Sequence, residues 1–262
     1  FFRAQKCVLY ARRCFALKSS VSGGSVGKLP FTWKSFIIKM THFTFVLLLL
    51  AIMVDLSLGE DQWMFQSESK WNKEWKSGAW TYMETVAVER SRIAVIGGVF
   101  VPMYANHNAS VLDIGCGEGS ISDFLTEQQK HKYVGVDLAK EAIIAAKKAR
   151  GPPLKFVHVA AHLFNPQHKF DAVVFSDVLY YTEHEKVLKQ YETYLNDKGI
   201  IIISIFHQSE KLMYEKIFEF ARQTFDKIDE IDVSGYTKKS KEGKLEKTAF
   251  HIEVYRIKPR ST

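Results

Sequence analysis

The chain has 262 residues, 47% of them hydrophobic, so it is long enough for one sizeable domain with a buried core. Its formal net charge of +7 comes from residues 1–54, which hold eight lysines or arginines and no acidic residue. The remainder carries 28 basic and 29 acidic residues and is close to neutral. The charge of that part therefore gives no indication of nucleic-acid binding.

The first 59 residues have the composition of a targeting region. Residues 1–39 form a basic extension, either native or upstream of the translated start. Residues 40–59 open at Met40 and contain the apolar run 43–54 and the small residues Ser57 and Gly59, which predict a secretory signal peptide. The expected location is the secretory pathway or the cell exterior. The alternatives are an uncleaved membrane anchor, a mitochondrial presequence, and a cytoplasmic enzyme with a misassigned gene start.

Residues 60–106 predict a helical segment ahead of the first strand. The pattern over 84–104 is amphipathic, although Gly97 and Gly98 weaken its centre. Four of the five tryptophans lie in this segment, at Trp63, Trp71, Trp75 and Trp80.

The most informative motif is Val-Leu-Asp-Ile-Gly-Cys-Gly-Glu-Gly at 111–119, an apolar strand that runs into a glycine-rich loop. Residues without a Cβ let the backbone approach a ligand at the carboxyl end of a strand. A carboxylate at Asp113 would repel the pyrophosphate of a dinucleotide, but it suits a ligand with a positive charge such as a sulfonium. The loop therefore favours S-adenosylmethionine over NAD.

The following sequence alternates strands and helices. Strands are predicted at 133–137, 156–161, 170–175 and 200–205, and the helical patterns between them lie at 121–129, 140–150 and 186–195. Strict alternation predicts a parallel sheet covered on both faces. Residues 226–233 and 248–257 alternate as half-buried strands and predict a closing antiparallel hairpin.

Together these motifs resemble the class I (Rossmann-like) S-adenosylmethionine-dependent methyltransferases over residues 60–258. The stretch Asp177-Val-Leu-Tyr-Tyr181 is similar to bacterial enzymes that modify sugars and polysaccharides, including nodulation N-methyltransferases. The resemblance implies an α/β fold with a Rossmann-like, doubly wound, mostly parallel seven-stranded sheet and a C-terminal antiparallel hairpin over residues 107–258. Residues 60–106 would then cap the cofactor and shape the acceptor pocket.

The implied cofactor is S-adenosyl-L-methionine, and its expected contacts follow the motifs. Asp113, Gly115 and Gly117 would surround the methionine moiety, and Asp137 would bind the ribose diol. Cys116, between the two glycines, is also expected at the cofactor, where its backbone matters more than its thiol. The adenine and the remaining edge of the cofactor would meet Leu138, Ala161, His162 and Ser176. His162 stands where many relatives carry an acid that binds the adenine amino group. No metal site is expected.

The sequence indicates fewer residues for binding the methyl acceptor, because methyl transfer from a sulfonium depends chiefly on alignment and desolvation. The candidate catalytic residues at the carboxyl ends of strands are His207, Asp177 and Tyr181. In the cap, Trp80, Tyr82 and Arg90 are expected to face the pocket. The alternative is that these side chains only cover the edge of the sheet.

Two functions fit this sequence. The expected one is methyl transfer to an oxygen or nitrogen of a small-molecule or glycan acceptor. The alternative is a binding or effector protein that keeps the fold without catalysis, and an NAD-dependent oxidoreductase is disfavoured by Asp113. No nucleic-acid partner is expected, the membrane would be reached only through an uncleaved N-terminal segment, and the oligomeric state is left open.

Overall fold

The structure, a computed structural model, describes residues 66–207, 212–238 and 245–258. The basic extension, the signal or anchor segment at 40–59 and Trp63 lie outside these residues, so their interpretation stays a prediction. None of the helices within the described ranges is both long enough and apolar enough to cross a bilayer.

One seven-stranded sheet organises the fold. Its strands are β1 (Val111–Ile114), β2 (Tyr133–Asp137), β3 (Lys155–His158), β4 (Phe170–Ser176), β5 (Leu195–Phe206), β6 (Phe225–Lys238) and β7 (Leu245–Ile257). They lie in the order β3-β2-β1-β4-β5-β7-β6. The first five are parallel, and β7 is antiparallel to both β5 and β6. The predicted fold class is confirmed. The strand order changes direction between β1 and β4, which is the usual position of a ligand crevice in such sheets.

The helices flank the sheet. They are α1 (Glu68–Lys76), α2 (Tyr82–Thr85), α3 (Ala87–Ala94), α4 (Glu127–Lys130), α5 (Lys140–Arg150), α6 (His184–Glu192) and α7 (Leu212–Thr224). Helix α3 continues as a π-helix over Val95–Ala105, and short 3-10 helices cover Ser120–Phe124, Ala161–Leu163 and Leu179–Tyr181.

Two helices expected as continuous are divided. The pattern at 84–104 is broken at Val86, whose backbone is extended, and its second half is π-helical around Pro102, which has no N–H to donate. The pattern at 121–129 is broken at Leu125, also extended, and Thr126 then caps α4 together with Gln129. In both cases, local backbone chemistry overrides the apolar periodicity.

The core fills both faces of the sheet. Leu112 and Ile114 of β1 point to the face covered by α6 and α7, whereas Val111 packs on the other face with Ile93 and Ile96. Because side chains alternate along a strand, Asp113 shares the face of Val111. The alternation therefore places the Asp113 carboxylate inside the core on that face of the sheet.

Candidate active site

A cavity of about 1030 Å³ opens at the carboxyl ends of the parallel strands. Its floor consists of residues that follow β1, β2, β3 and β4, and its wall comes from α1, α2 and α3 of the cap. Pockets for one small molecule measure roughly 300–1,000 Å³, so this cavity lies at the upper end of that range.

The glycine loop has the backbone that its sequence requires. Gly115 and Gly117 both have positive φ angles, +70° and +55°, which side chains with a Cβ rarely adopt. A Cβ at Gly115 would lie 2.7 Å from Cγ2 of Val178, and one at Gly117 would lie 3.1 Å from the ring of Trp75. The loop therefore presents bare backbone to the cavity, directly beneath α1.

Asp137 at the end of β2 is held by the backbone around it. Its Oδ2 accepts a hydrogen bond from Gly117 N at 2.9 Å, and its Oδ1 accepts one from Ala139 N at 2.7 Å. Burial raises the pKa of this carboxyl, while the two amides oppose the rise. Each carboxylate oxygen has a second lone pair, so the group can still accept the two hydroxyls of a ribose.

The other predicted cofactor positions on the floor are brought together. Leu138, Ala161, His162 and Ser176 all line the cavity, as do Gly115, Gly117 and Asp137. They converge because the carboxyl ends of parallel strands meet at one edge of the sheet. Their contacts with the cofactor stay predictions, but their convergence gives those predictions a common site.

The Asp113 side chain lies away from the cavity that most of the other predicted cofactor residues line. The side chain is buried beneath the loop, outside the lining of the cavity, and its Oδ2 accepts a hydrogen bond from the Tyr133 hydroxyl at 2.7 Å. Its Oδ1 has no hydrogen-bond partner. Burial raises the pKa of this carboxyl to about 7. Asp113 therefore lies inside the core in this structure, and its predicted contact with the methionine moiety stays a prediction.

The side chain of Cys116 also lies beneath the loop, in keeping with the expectation that its backbone matters more than its thiol. Its side chain is also buried outside the cavity lining, and its Sγ lies 3.6 Å from Gly117 O. Burial raises the pKa of its thiol well above the ordinary value. Only the backbone of Cys116 is placed to shape the loop.

A buried charge cluster lies where helix α3 meets the cavity. Arg92 of α3, 1% exposed, lies with Nη2 2.9 Å from Glu89 Oε2 and with Nη1 3.1 Å from Asp177 Oδ2. The same Nη1 donates to Ser176 Oγ. The three charged side chains line the cavity and carry a net charge of −1 when both carboxyls are ionised.

Asp177 has an unusual backbone for a residue other than glycine, with φ +55°. The turn directs Asp177 Oδ1 to the last residue of β5, where it accepts a hydrogen bond from Phe206 N at 2.6 Å. Burial raises the pKa of the Asp177 carboxyl, opposed by the charge of Arg92 and by hydrogen bonds from Phe206 N–H and the Tyr180 hydroxyl. The structure thus places this predicted catalytic residue in the cavity and raises its proton affinity.

Aromatic rings form a wall of the cavity beside the glycine loop. Trp71 meets Tyr181 edge to face with 4.8 Å between ring centroids, and its centroid lies 5.6 Å from that of Trp80. Trp80 also neighbours Trp75 at 6.2 Å and Tyr82 at 6.0 Å. All five rings line the cavity, including the predicted Tyr181, Trp80 and Tyr82.

Two expected pocket residues lie elsewhere. His207 is exposed and outside the cavity lining, and Phe206 before it lines the cavity instead. Arg90 forms ion pairs with Glu84 at 3.1 Å and Asp123 at 3.0 Å, away from the lining. Two residues further along a helix the side chain points about 200° away, so Arg92 faces the cavity where Arg90 does not.

Sequence reasoning missed Glu89, Arg92, Trp71 and Trp75 as site residues. The spacing of these residues along the sequence is a signal that could have indicated them. Glu89 and Arg92 are three apart and Trp71 and Trp75 are four apart, so each pair shares a helix face. The sequence alone does not show which helix face meets the sheet.

With this geometry in place, comparison with known proteins decides the family. Residues 90–232 match the family described as Methyltransferase domain. The chain belongs to this methyltransferase family. No curated protein matches the sequence significantly.

Solved methyltransferases share the fold. The N-methyltransferase NodS from Bradyrhizobium japonicum, solved with S-adenosyl-L-homocysteine, is 15% identical with a TM-score of 0.53, covering 68% of this chain and 91% of NodS. The 1,6-didemethyltoxoflavin-N1-methyltransferase from Burkholderia thailandensis, solved with 1,6-didemethyltoxoflavin and S-adenosylhomocysteine, is 18% identical with a TM-score of 0.51. That match covers 73% of this chain and 87% of the Burkholderia enzyme.

The cofactor of this methyltransferase is S-adenosylmethionine, and the observed site fits it. A Cβ at Gly115 would crowd Val178, and one at Gly117 would crowd Trp75. The loop backbone therefore packs closely against two residues of the cavity lining. Bound there, the cofactor supplies an activated methyl group. The chain itself supplies bare backbone at the loop, the Asp137 carboxylate, which would accept the ribose diol, and aromatic walls beside them.

Proposed function

We propose that this methyltransferase transfers a methyl group to an oxygen or nitrogen of a small-molecule or glycan acceptor. The observation that carries the proposal is the continuity of the cavity, which joins Gly115 and Asp137 to Trp71, Asp177 and Tyr181. An acceptor between the rings would face the same space as a cofactor on the loop. A displacement reaction requires this arrangement, because the nucleophile and the methyl carbon must be adjacent and aligned.

The residues support acid–base assistance without a histidine. Asp177 combines burial, a raised pKa and a position at the cavity, so it is our candidate for orienting or deprotonating the nucleophile. Tyr181 would orient the acceptor through its ring or its hydroxyl. The exposed position of His207 removes the geometric support for it as the base.

The test is transfer of tritiated methyl groups from labelled S-adenosylmethionine into fractionated cell extracts, followed by identification of the labelled product. We expect label in a compound of low mass or an oligosaccharide, and we expect Asp177→Asn to reduce it at least tenfold. The matched control is Glu185→Gln, an exposed residue of α6 outside the cavity lining, which should leave transfer unchanged. A protein that binds the cofactor but labels no fraction would overturn the proposal.

Secretion is also part of our proposal for this protein, on the sequence pattern of residues 40–59. N-terminal sequencing of the natural protein tests it. A mature start near Glu60 would support secretion, and a retained 1–39 segment would exclude it.

A further inference from the structure

We propose that Arg150, which does not line the cavity, is a positioning residue that holds the glycine loop (residues 115–119) in the conformation that binds S-adenosylmethionine. The inference concerns the cofactor, so it does not depend on the identity of the methyl acceptor. It is carried by the hydrogen bonds that the guanidinium donates and by the place of the loop at the cavity.

Arg150 is the last residue of α5, and its side chain is only 11% exposed. Every nitrogen of its guanidinium donates a hydrogen bond. Nε and Nη2 bind the two carboxylate oxygens of Asp123 at 2.7 and 2.8 Å, Nη1 binds Glu118 O at 3.1 Å, and Nη2 also binds Glu84 Oε1 at 2.9 Å. These partners belong to the 3-10 helix Ser120–Phe124, to the glycine loop and to helix α2 of the cap. One side chain therefore joins three separate elements to α5.

The hydrogen bond to Glu118 O bears on the cofactor because of where that carbonyl lies. Glu118 stands between Gly117 and Gly119, whose φ angles are +55° and +80°. Glycine adopts many backbone conformations, so contacts from outside the loop must select this one. Asp137 holds the backbone N–H of Gly117, which lines the cavity, and Arg150 holds the carbonyl of the next residue. The two contacts fix the loop on both sides of one peptide group.

Glu84 extends the hydrogen-bond network to the wall of the cavity. Its Oε1 accepts hydrogen bonds from Arg150 Nη2 and from Ser120 Oγ, which follows the loop directly. Tyr82 and Met83, the two residues before Glu84 in α2, both line the cavity. The guanidinium therefore sets the cofactor loop and one wall of the cavity relative to each other.

Ordering the loop in advance affects the affinity for the cofactor. A site that is already ordered loses less conformational entropy when its ligand binds. Without Arg150, the peptide after Gly117 would be free to turn, and the cofactor would have to order it on binding. The affinity should fall although every group that touches the cofactor is still present.

The test is isothermal titration of the full chain and its variants with S-adenosylhomocysteine. We expect Arg150→Met to bind about tenfold more weakly than the wild type. Arg150→Lys should also bind about threefold more weakly, because a single ammonium group does not reproduce the planar fork of donors. The matched control is Lys148→Met, which removes the same charge from an exposed position of α5 and should bind as the wild type does. Wild-type affinity in Arg150→Met would overturn the inference.

A second measurement separates positioning from a purely structural role. Thermal denaturation followed by circular dichroism gives the stability of each variant and shows that it is folded at the temperature of the titration. An arginine that only stabilised the fold would lower the melting temperature and leave the affinity of the folded protein unchanged. That result would contradict the inference.

A double-mutant cycle assigns the effect to the guanidinium. Asp123→Asn weakens the anchor of Arg150 on the 3-10 helix, and we expect it to weaken binding about threefold in the otherwise wild-type chain. Added to Arg150→Met, it should cause no further loss. Losses that add independently would contradict the inference. If Arg150→Met does not fold, Arg150→Lys and Asp123→Asn decide, and wild-type affinity in both would overturn it.

Discussion

Arg92 Nη1 lies 3.1 Å from Asp177 Oδ2, and this ion pair joins helix α3 of the cap to the carboxyl end of β4. The same guanidinium holds Glu89 and lies over the ring of Phe250, with 4.5 Å between its Cζ and the ring centroid. One side chain therefore fixes the cap, a central strand and the closing hairpin around the cavity. We therefore expect the shape of the cavity between these elements to depend on Arg92.

Replacing Arg92 tests that dependence. Arg92→Leu removes the guanidinium that pairs with Glu89 and Asp177, and we expect a loss of about 3–5 kcal/mol in the free energy of unfolding. Urea denaturation followed by circular dichroism measures it. Arg90→Ala is the control. Its ion pairs involve side chains about 30% exposed, so about 0–1 kcal/mol is expected. Equal losses in the two variants would contradict the role given to Arg92.

The glycine loop makes a second prediction. Gly115→Ala requires a side chain at φ +70° and against Val178, so we expect a loss of about 1–3 kcal/mol in stability and at least tenfold weaker binding of S-adenosylhomocysteine. Gly98→Ala is the matched control. A Cβ there would make an ordinary 3.7 Å contact with Phe124. The prediction fails if Gly115→Ala binds as tightly as Gly98→Ala.

Asp113 gives the protein a characteristic pH dependence. Its pKa is about 7 when folded and near its ordinary value of 3.8 when unfolded, so the folded state holds the proton more tightly. The stabilisation is complete below pH 4 and is lost as the pH rises to about 7, with a slope on the order of 1.4 kcal/mol per pH unit within that window.

Asp113→Asn isolates this effect, because the amide mimics the protonated acid. The difference in unfolding free energy between the variant and the wild type should increase in favour of the variant from pH 5 to pH 8. Parallel urea titrations at four pH values measure it. A difference that is constant across this range would show that Asp113 does not change its charge with folding.

Asp137 tests the cofactor side independently. Asp137→Asn places an amide NH₂ against one of the two backbone N–H donors, Gly117 or Ala139, and removes half of the acceptor capacity offered to a ribose diol. We expect S-adenosylhomocysteine to bind at least tenfold more weakly, about 1.4 kcal/mol. Asp197→Asn, on an exposed stretch of β5, is the control for the loss of one negative charge. Unchanged affinity in Asp137→Asn would exclude the ribose contact.

The strands were predictable because their signal is local. Tyr133–Asp137 was predicted with its bounds as observed, and so was helix α5 at Lys140–Arg150. The bounds of β5 were not predicted: the pattern predicts 200–205, and the strand runs from Leu195 to Phe206. It begins at Leu195 because Phe170 pairs with that residue across a register shift, which depends on the partner strand and not on the sequence of β5.

The site was predictable only in part, for a physical reason. The positions that follow strands converge by topology, so Asp137, Ser176 and Asp177 could be placed together in advance. The direction of a side chain depends on alternation along a strand and on helix phase, and these place the side chains of Asp113 and Arg90 outside the cavity lining. The Arg92 cluster needed the docking angle of the cap, which no local pattern specifies.

Isothermal titration of the folded full chain with S-adenosylhomocysteine tests the central claim most directly, with NAD titrated in parallel. We predict one binding site for S-adenosylhomocysteine and no heat from NAD at the same concentrations. Failure to bind either S-adenosylhomocysteine or S-adenosylmethionine, with the protein shown to be folded, would contradict the assignment of this cavity to the methyl donor.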